Sequence, residues 1–131
     1  MAGLHHVALH ARRFEATLAF YTDLLGMAVE WRPDVDNVYL TSGTDNLAIH
    51  RAAGGVAESG QRLDHIGFLV DTPADVDRWY AHLTANDVPV DAPPRTHRDG
   101  ARSFYCTDPE GTTVQIIHHP PLARPSTEKT P

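Results

Sequence analysis

Apolar and polar residues alternate from His6 to His10: Val7 and Leu9 fall on one side, His6, Ala8 and His10 on the other. Alternation of period two predicts a half-buried strand. From Phe14 the period lengthens. Phe14, Leu18, Tyr21 and Leu25 recur at helical spacing, and Gly26 stands where a left-handed residue closes a helix. Val29 to Trp31 predicts a short strand and Pro33 to Asn37 a turn. Val38 to Thr41 and Asn46 to His50 then read as strands joined by the turn Ser42–Asp45. The order is β-α-β-β-β.

The same order follows a second time. Ile66, Phe68 and Val70 line one side of a strand over His65–Val70. Thr72 and Pro73 suit the N-cap and first turn of a helix, and Val76, Tyr80 and Leu83 form its apolar stripe. Val88 to Val90 is a weak strand, Asp91 to Gly100 a polar loop, and Arg102–Thr107 and Thr113–His118 are strands around the turn Asp108–Gly111. Shifting the chain by 59 residues lays His6 on His65, Phe20-Tyr21 on Trp79-Tyr80, and Leu24 on Leu83. An internal repeat is a statement about the whole fold. The expected organisation is one domain: module one at 4–51, a Gly-bearing linker at 52–62, module two at 63–118, and a proline-rich, disordered tail at 119–131.

Composition narrows the function classes. The chain has 131 residues, 41% hydrophobic and 21% charged, which suits one soluble domain. A net charge of −6 without a basic run argues against nucleic acid and anionic membrane as partners. No apolar run approaches the ~18 residues of a membrane span, and the N-terminus lacks the pattern of a secretory leader. The single cysteine, Cys106, forbids an intrachain disulfide and suits a reducing, cytoplasmic setting.

Nine histidines are many for this length. In both opening strands the apolar set faces a helix and leaves the histidine on the other side. Two modules related by a twofold would bring His6 and His65 together. With His50 and Gln115 from the last strand of each module, they form the candidate metal set. Imidazole suits zinc, nickel and iron. His10 shares the side of His6 but lies roughly 13 Å along the strand at ~3.3 Å per residue, too far for the same ion. It is assigned to substrate contact. His97 and Arg102, in a basic cluster before the penultimate strand, are candidate anion-binding residues, and Tyr105 joins them as substrate-binding. Cys106 reads as a small core residue rather than a nucleophile.

Four segments carry a resemblance: His6-Val7-Ala8-Leu9; Leu18 to Gly26, with Phe20-Tyr21 and Leu25-Gly26; His65 to Val70; and Asp108-Pro109-Glu110-Gly111 through Gln115. Over residues 4 to 118 the chain resembles the vicinal oxygen chelate superfamily. That superfamily includes glyoxalase I, fosfomycin- and bleomycin-resistance proteins, methylmalonyl-CoA epimerase and extradiol dioxygenases. The resemblance implies an α+β fold of two paired β-α-β-β-β modules forming a cup-shaped mixed sheet with a divalent metal (Zn, Ni, Mn or Fe(II)) at its base. His6 and His65 match its first-strand ligands. His50 stands where relatives place Glu or Gln, and Gln115 where they usually place Glu. A glutamine cannot titrate, so the candidate general base is His50, if it is not tightly ligated, or a metal-bound hydroxide. The missing carboxylate speaks against a dioxygenase.

Two functions follow as expectations. The first is a metal-dependent enzyme, glyoxalase- or dioxygenase-like, that uses the metal as a Lewis acid on a small bidentate oxygen or anionic substrate. The second is a metal-free, bleomycin-resistance-like binding protein. A homodimer is expected in either case. Whether His50 and Gln115 converge with His6 and His65 discriminates the two.

Overall fold

The computed structural model describes residues 4, 6–53, 63, 65–97 and 100–120. The expected linker beyond Ala53 and the expected disordered tail beyond Pro120 lie outside the described residues. The chain divides into two compact units, Met1–Gln61 and Arg62–Pro131.

In the first unit, β1 (His6–Ala11) is followed by helix α1 (Phe14–Ala19), then β2 (Ala28–Asp34), β3 (Asn37–Thr41) and β4 (Asn46–Arg51). The sheet order is β1-β4-β3-β2. The pair β1–β4 is parallel, and the other two pairs are antiparallel. Parallel neighbours need a crossover, and α1 with the β2–β3 hairpin supplies it. Leu9, Ala11, Val38, Leu40, Leu47 and Ile49 turn into the core, where α1 packs on β4 with Phe14 and Thr17 buried. Each large apolar side chain buried this way stabilises the unit by about 1.5–3 kcal/mol.

The expected helix from Phe14 to Leu25 is broken in kind. After Ala19 it widens into a π-helical turn, Phe20–Leu24. The wider turn rotates the face, so the neighbours Phe20 and Tyr21 are both buried, and Leu18 and Leu25 only partly. Gly26 closes the segment at φ +82°, a conformation that favours glycine. β2 runs three residues past Trp31, through Pro33. It is a bulged edge strand, exposed along its whole length, where a proline costs no ladder bond.

The second unit repeats the plan. It contains β5 (Ile66–Leu69), helix α2 (Pro73–Ala85), β6 (Arg95–Thr96), β7 (Arg102–Thr107) and β8 (Thr113–His118), in the sheet order β5-β8-β7-β6. β5–β8 is the parallel pair. α2 lies on β7 and β8, with Val76 and Leu83 buried and Tyr80 edge-on to Phe104 at 5.5 Å. The strand expected at Val88–Val90 reduces to a single bridge from Val90 to Cys106, because Pro89 has no N–H to give. β6 forms instead inside the expected loop, pairing Arg95 and Thr96 with β7.

Candidate functional site

Each sheet has one side packed on its helix and one turned away from it. In the first unit the away side carries His6, Ala8 and His10 from β1, all exposed. The parallel register sets Asn46 beside His6, Ala48 beside Ala8 and His50 beside His10. His50 is therefore not the neighbour of His6, as the expected metal set required. It sits four residues further along the strand.

Both histidines are held by the same device. Asn46 gives its Nδ2 hydrogen to Glu30 Oε2 at 2.8 Å, which leaves its Oδ1 facing His6 Nδ1 at 2.6 Å. Asn37 gives its Nδ2 hydrogens to the Asp34 carboxylate at 2.9 and 3.1 Å, which leaves its Oδ1 facing His50 Nδ1 at 2.6 Å. An Asn whose amide nitrogen is committed to a carboxylate can only accept with its oxygen. Each imidazole must then carry a proton on Nδ1, and in its neutral form it presents Nε2 as a lone pair. Among the described residues neither Nε2 has a hydrogen-bond partner.

Aromatic rings continue across this sheet. Trp31 stacks on Tyr39 with centroids 5.2 Å apart, Tyr39 meets His50 edge-on at 5.9 Å, and His50 lies 6.3 Å from His10. The row takes one residue from each strand. Trp31, stacked on Tyr39 on one side, is still 59% exposed, a large apolar side chain at the open end of the row.

In the second unit Gly67, Gln115 and Tyr105 stand side by side on β5, β8 and β7. Gln115 Nε2 donates to the Tyr105 hydroxyl at 3.1 Å, and the His65 ring meets Tyr105 edge-on at 5.4 Å. A methyl at Gly67 would lie 3.4 Å from Gln115 Oε1, at the near edge of ordinary contact. His97 Nε2 lies 3.3 Å from Ser103 Oγ, two residues from Tyr105 on β7. Arg102 does not join this group. It alternates with the buried Phe104 and Cys106 toward α2, where its guanidinium is forked onto Asp77 at 2.7 and 3.2 Å and donates to Thr96 Oγ1. Its expected role in anion binding is corrected accordingly, since the charge is already matched on the helix side. Cys106 is buried, and desolvation, with Asp108 and Asp91 nearby, pushes its thiol up to about 12. A thiol held protonated is a core residue and not a nucleophile.

The registers give the equivalences that the repeat left open. Gln115 pairs with Gly67, two residues past His65. The same step past His6 reaches Ala8, whose partner is Ala48. Burial agrees: Leu47 and Ile49 flank Ala48 in the core as Val114 and Ile116 flank Gln115. Ala48, and not His50, is thus the counterpart of Gln115, and His50 corresponds to Ile117. The signal was present in the chain, where Leu47-Ala48-Ile49 matches Val114-Gln115-Ile116, but the chemistry of His50 drew the alignment two residues away. Asn46, Asn37, Glu30 and Asp34 were also missed, because their part depends on register alone.

A divalent metal fits these donors poorly. At the equivalent positions the first unit offers an imidazole and an alanine, and the second an imidazole and a carboxamide already bonded to Tyr105. No carboxylate stands at either. Among the described residues, no three His, Cys, Asp or Glu side chains gather closely enough to hold a metal ion.

A β-α-β-β-β order repeated in two units, each with its parallel pair beside an antiparallel one, defines an α+β protein of duplicated modules with polar sheet faces. The chain belongs to the Glyoxalase/Bleomycin resistance protein/Dioxygenase superfamily, whose family model matches residues 3–116. Among solved structures it is similar to a lactoylglutathione lyase from Agrobacterium tumefaciens, at 22% identity over 95% of this chain and 98% of that one, with a TM-score of 0.76. It is also similar to a glyoxalase-related enzyme from Fulvimarina pelagi, at 19% identity over 92% and 90% of the two chains, TM-score 0.74. A glyoxalase/bleomycin resistance protein/dioxygenase from Alicyclobacillus acidocaldarius matches at 20% identity over 90% and 92%, TM-score 0.70. These likenesses are of fold. No curated protein matches the chain.

Proposed function

We propose that this chain is a small-molecule-binding member of its superfamily that works without a metal on His6 and His65. The observation that carries the reading is Ala48. It occupies the register position of Gln115, is fully buried, and has no donor atom. The ligand class follows from what the sheet faces offer instead. The row Trp31–Tyr39–His50–His10 suits a planar, aromatic or heteroaromatic molecule. The Nε2 atom of His6, an acceptor in the neutral ring, suits a ligand hydroxyl or N–H group. On the second unit His65, Tyr105 and Gln115 offer an imidazole, a hydroxyl and a carboxamide within one cluster, and His97 stands near it. A few placed polar groups among aromatic side chains are the usual make-up of such a site.

The reading extends to assembly and setting. Val29, Trp31 and Val35, exposed on and just beyond the edge strand β2, support a homodimer. No helix among the described residues is long and apolar enough to cross a membrane, and a lone buried thiol is at home in a reducing cytoplasm.

Elemental analysis tests the central claim, on untagged protein purified without chelator beside the His6→Ala/His65→Ala variant. The expected result is no stoichiometric metal that depends on these two histidines. About one equivalent of divalent metal, lost in the variant, overturns the reading and restores the metal-dependent enzyme.

A further inference from the structure

His10 and His50 face each other across the parallel pair β1–β4, at directly opposed positions of the register. Their ring centroids are 6.3 Å apart and their planes 57° from parallel. A zinc–imidazole bond is about 2.0–2.1 Å, which puts an ion roughly 3.2 Å from the ring centre. Two rings sharing one ion are then separated by up to ~6.4 Å, and less when the angle at the ion closes. At a tetrahedral angle the two rings would stand ~5.2 Å apart, so from the observed 6.3 Å one ring must move in by about 1 Å.

The orientation of His50 is fixed from outside the pair. β3 and β1 flank β4 on opposite sides. Asn37 on β3 takes the Nδ1 hydrogen of His50, and Asp34 holds Asn37. In a five-membered imidazole the bond opposite Nδ1 is Nε2–Cδ2, so Nε2 is not the atom taken up by Asn37 and stays available for ligation. Ligating histidines characteristically give their other ring N–H to a carboxylate or carbonyl in this way, which fixes the tautomer and raises the basicity of the ligating nitrogen. His10 is exposed and has no hydrogen-bond partner among the described residues, so its ring can swing to complete the pair.

We propose that His10 and His50 form a bidentate site for a borderline divalent cation (Cu2+, Ni2+ or Zn2+) on the side of the first sheet turned away from α1. Two neutral imidazoles select the late first-row ions, Cu2+ above Ni2+ and Zn2+, and discriminate against Mg2+ and Ca2+, which require oxygen ligands. The remaining coordination positions belong to solvent or to a chelating ligand. The site uses neither His6 nor His65, but it shares His10 and His50 with the aromatic row of the reading above, where a chelating planar ligand would meet the ion.

Titration calorimetry of the untagged chain with Cu2+ and Ni2+, and electron paramagnetic resonance of the Cu2+ form, test it. The expected result is one ion per chain with two imidazole nitrogens coupled to copper. His10→Ala, at an exposed position, should weaken binding at least ~10-fold with the thermal midpoint of the apo protein unchanged, and His6→Ala should leave it intact. Asn37→Ala should weaken it by ~10-fold or more through the loss of outer-shell orientation. Absence of binding, binding that survives His10→Ala, or binding removed by His6→Ala each overturns the proposal.

Discussion

The two units share a plan and differ in what they place on it. At the step past the opening histidine, the second unit sets a glycine against a glutamine, Gly67 against Gln115, while the first sets an alanine against an alanine, Ala8 against Ala48. The second unit thus carries a polar group at this step, beside a residue without a side chain, where the first carries only methyl groups. The first unit lacks that group but has two carboxylate–asparagine–histidine chains, from Glu30 to His6 and from Asp34 to His50. The helices differ too. α2 has thirteen residues and a reciprocal capping box, whereas α1 has six residues, no side-chain cap, and passes into a π-helical turn. A duplicated scaffold thus keeps its strand pairing and core while its faces diverge.

The sharpest way to break this comparison is to give the first unit what it lacks. Ala48→Glu places a carboxyl where the alanine is wholly buried, between Leu47 and Ile49. An uncompensated buried charge costs about 3–5 kcal/mol. Gln115→Glu should cost far less, because Gln115 is only partly buried and the Tyr105 hydroxyl can donate to the new carboxylate. Urea unfolding at pH 7 measures both. The metal-free A48E chain should show the large loss, and added Zn2+ should recover part of it by drawing on His6 and the new carboxylate. Equal costs for the two substitutions would mean that the first unit accommodates a carboxyl as readily as the second, and the contrast at this step would fail.

The difference in legibility has a physical basis. Alternation in β1 and β5, the cap at Thr72-Pro73, and the turns at Gly26 and Gly111 were readable because each depends on residues close in sequence. The register of β1 on β4 depends on residues forty apart, and a slip of two residues keeps every side chain on its own face. His50 could therefore be placed at the step that Ala48 occupies without violating the apolar pattern. The π-helical turn escaped for a related reason. Phe14, Leu18, Tyr21 and Leu25 fit an ordinary helix, and only the burial of Phe20 beside Tyr21 reveals the wider turn. Likewise, Arg102 read as an anion-binding residue until its strand parity put it against Asp77 on α2.

The capping box sharpens the contrast between the helices at a smaller scale. Thr72 Oγ1 accepts from the Asp75 backbone N–H at 3.1 Å, and Asp75 Oδ2 accepts from the Thr72 N–H at 3.0 Å. Thr72→Ala should destabilise the protein by about 1 kcal/mol. The Asp75 carboxyl is held below its ordinary range, first by its hydrogen bond with Thr72, with Arg78 adding to it. A lowered folded value stabilises the protein above the unfolded value of 3.8, and that contribution is lost as pH falls below it. Unfolding curves at pH 7 and pH 3 should therefore show the T72A deficit shrinking in acid. A deficit that stays constant with pH would mean that the box contributes through the threonine alone.

The smallest expected effect bears most directly on the paired glycine and glutamine. Gly67→Ala makes the second unit like the first at this step. Its backbone is in an ordinary strand conformation, so alanine is admitted without strain, and the loss of unfolded-state freedom favours the variant by about 0.4–1 kcal/mol. Against this, the new methyl meets Gln115 Oε1 at 3.4 Å, at the edge of ordinary contact. The two contributions nearly cancel, and stability should change by less than about 1 kcal/mol. What should move is the carboxamide. Its side-chain N–H resonances should shift as its bond to Tyr105 is disturbed, while those of Asn46 and Asn37 stay in place. An unmoved Gln115 would mean that the glycine is not what seats it, and the complementarity of the two strands would lose its support.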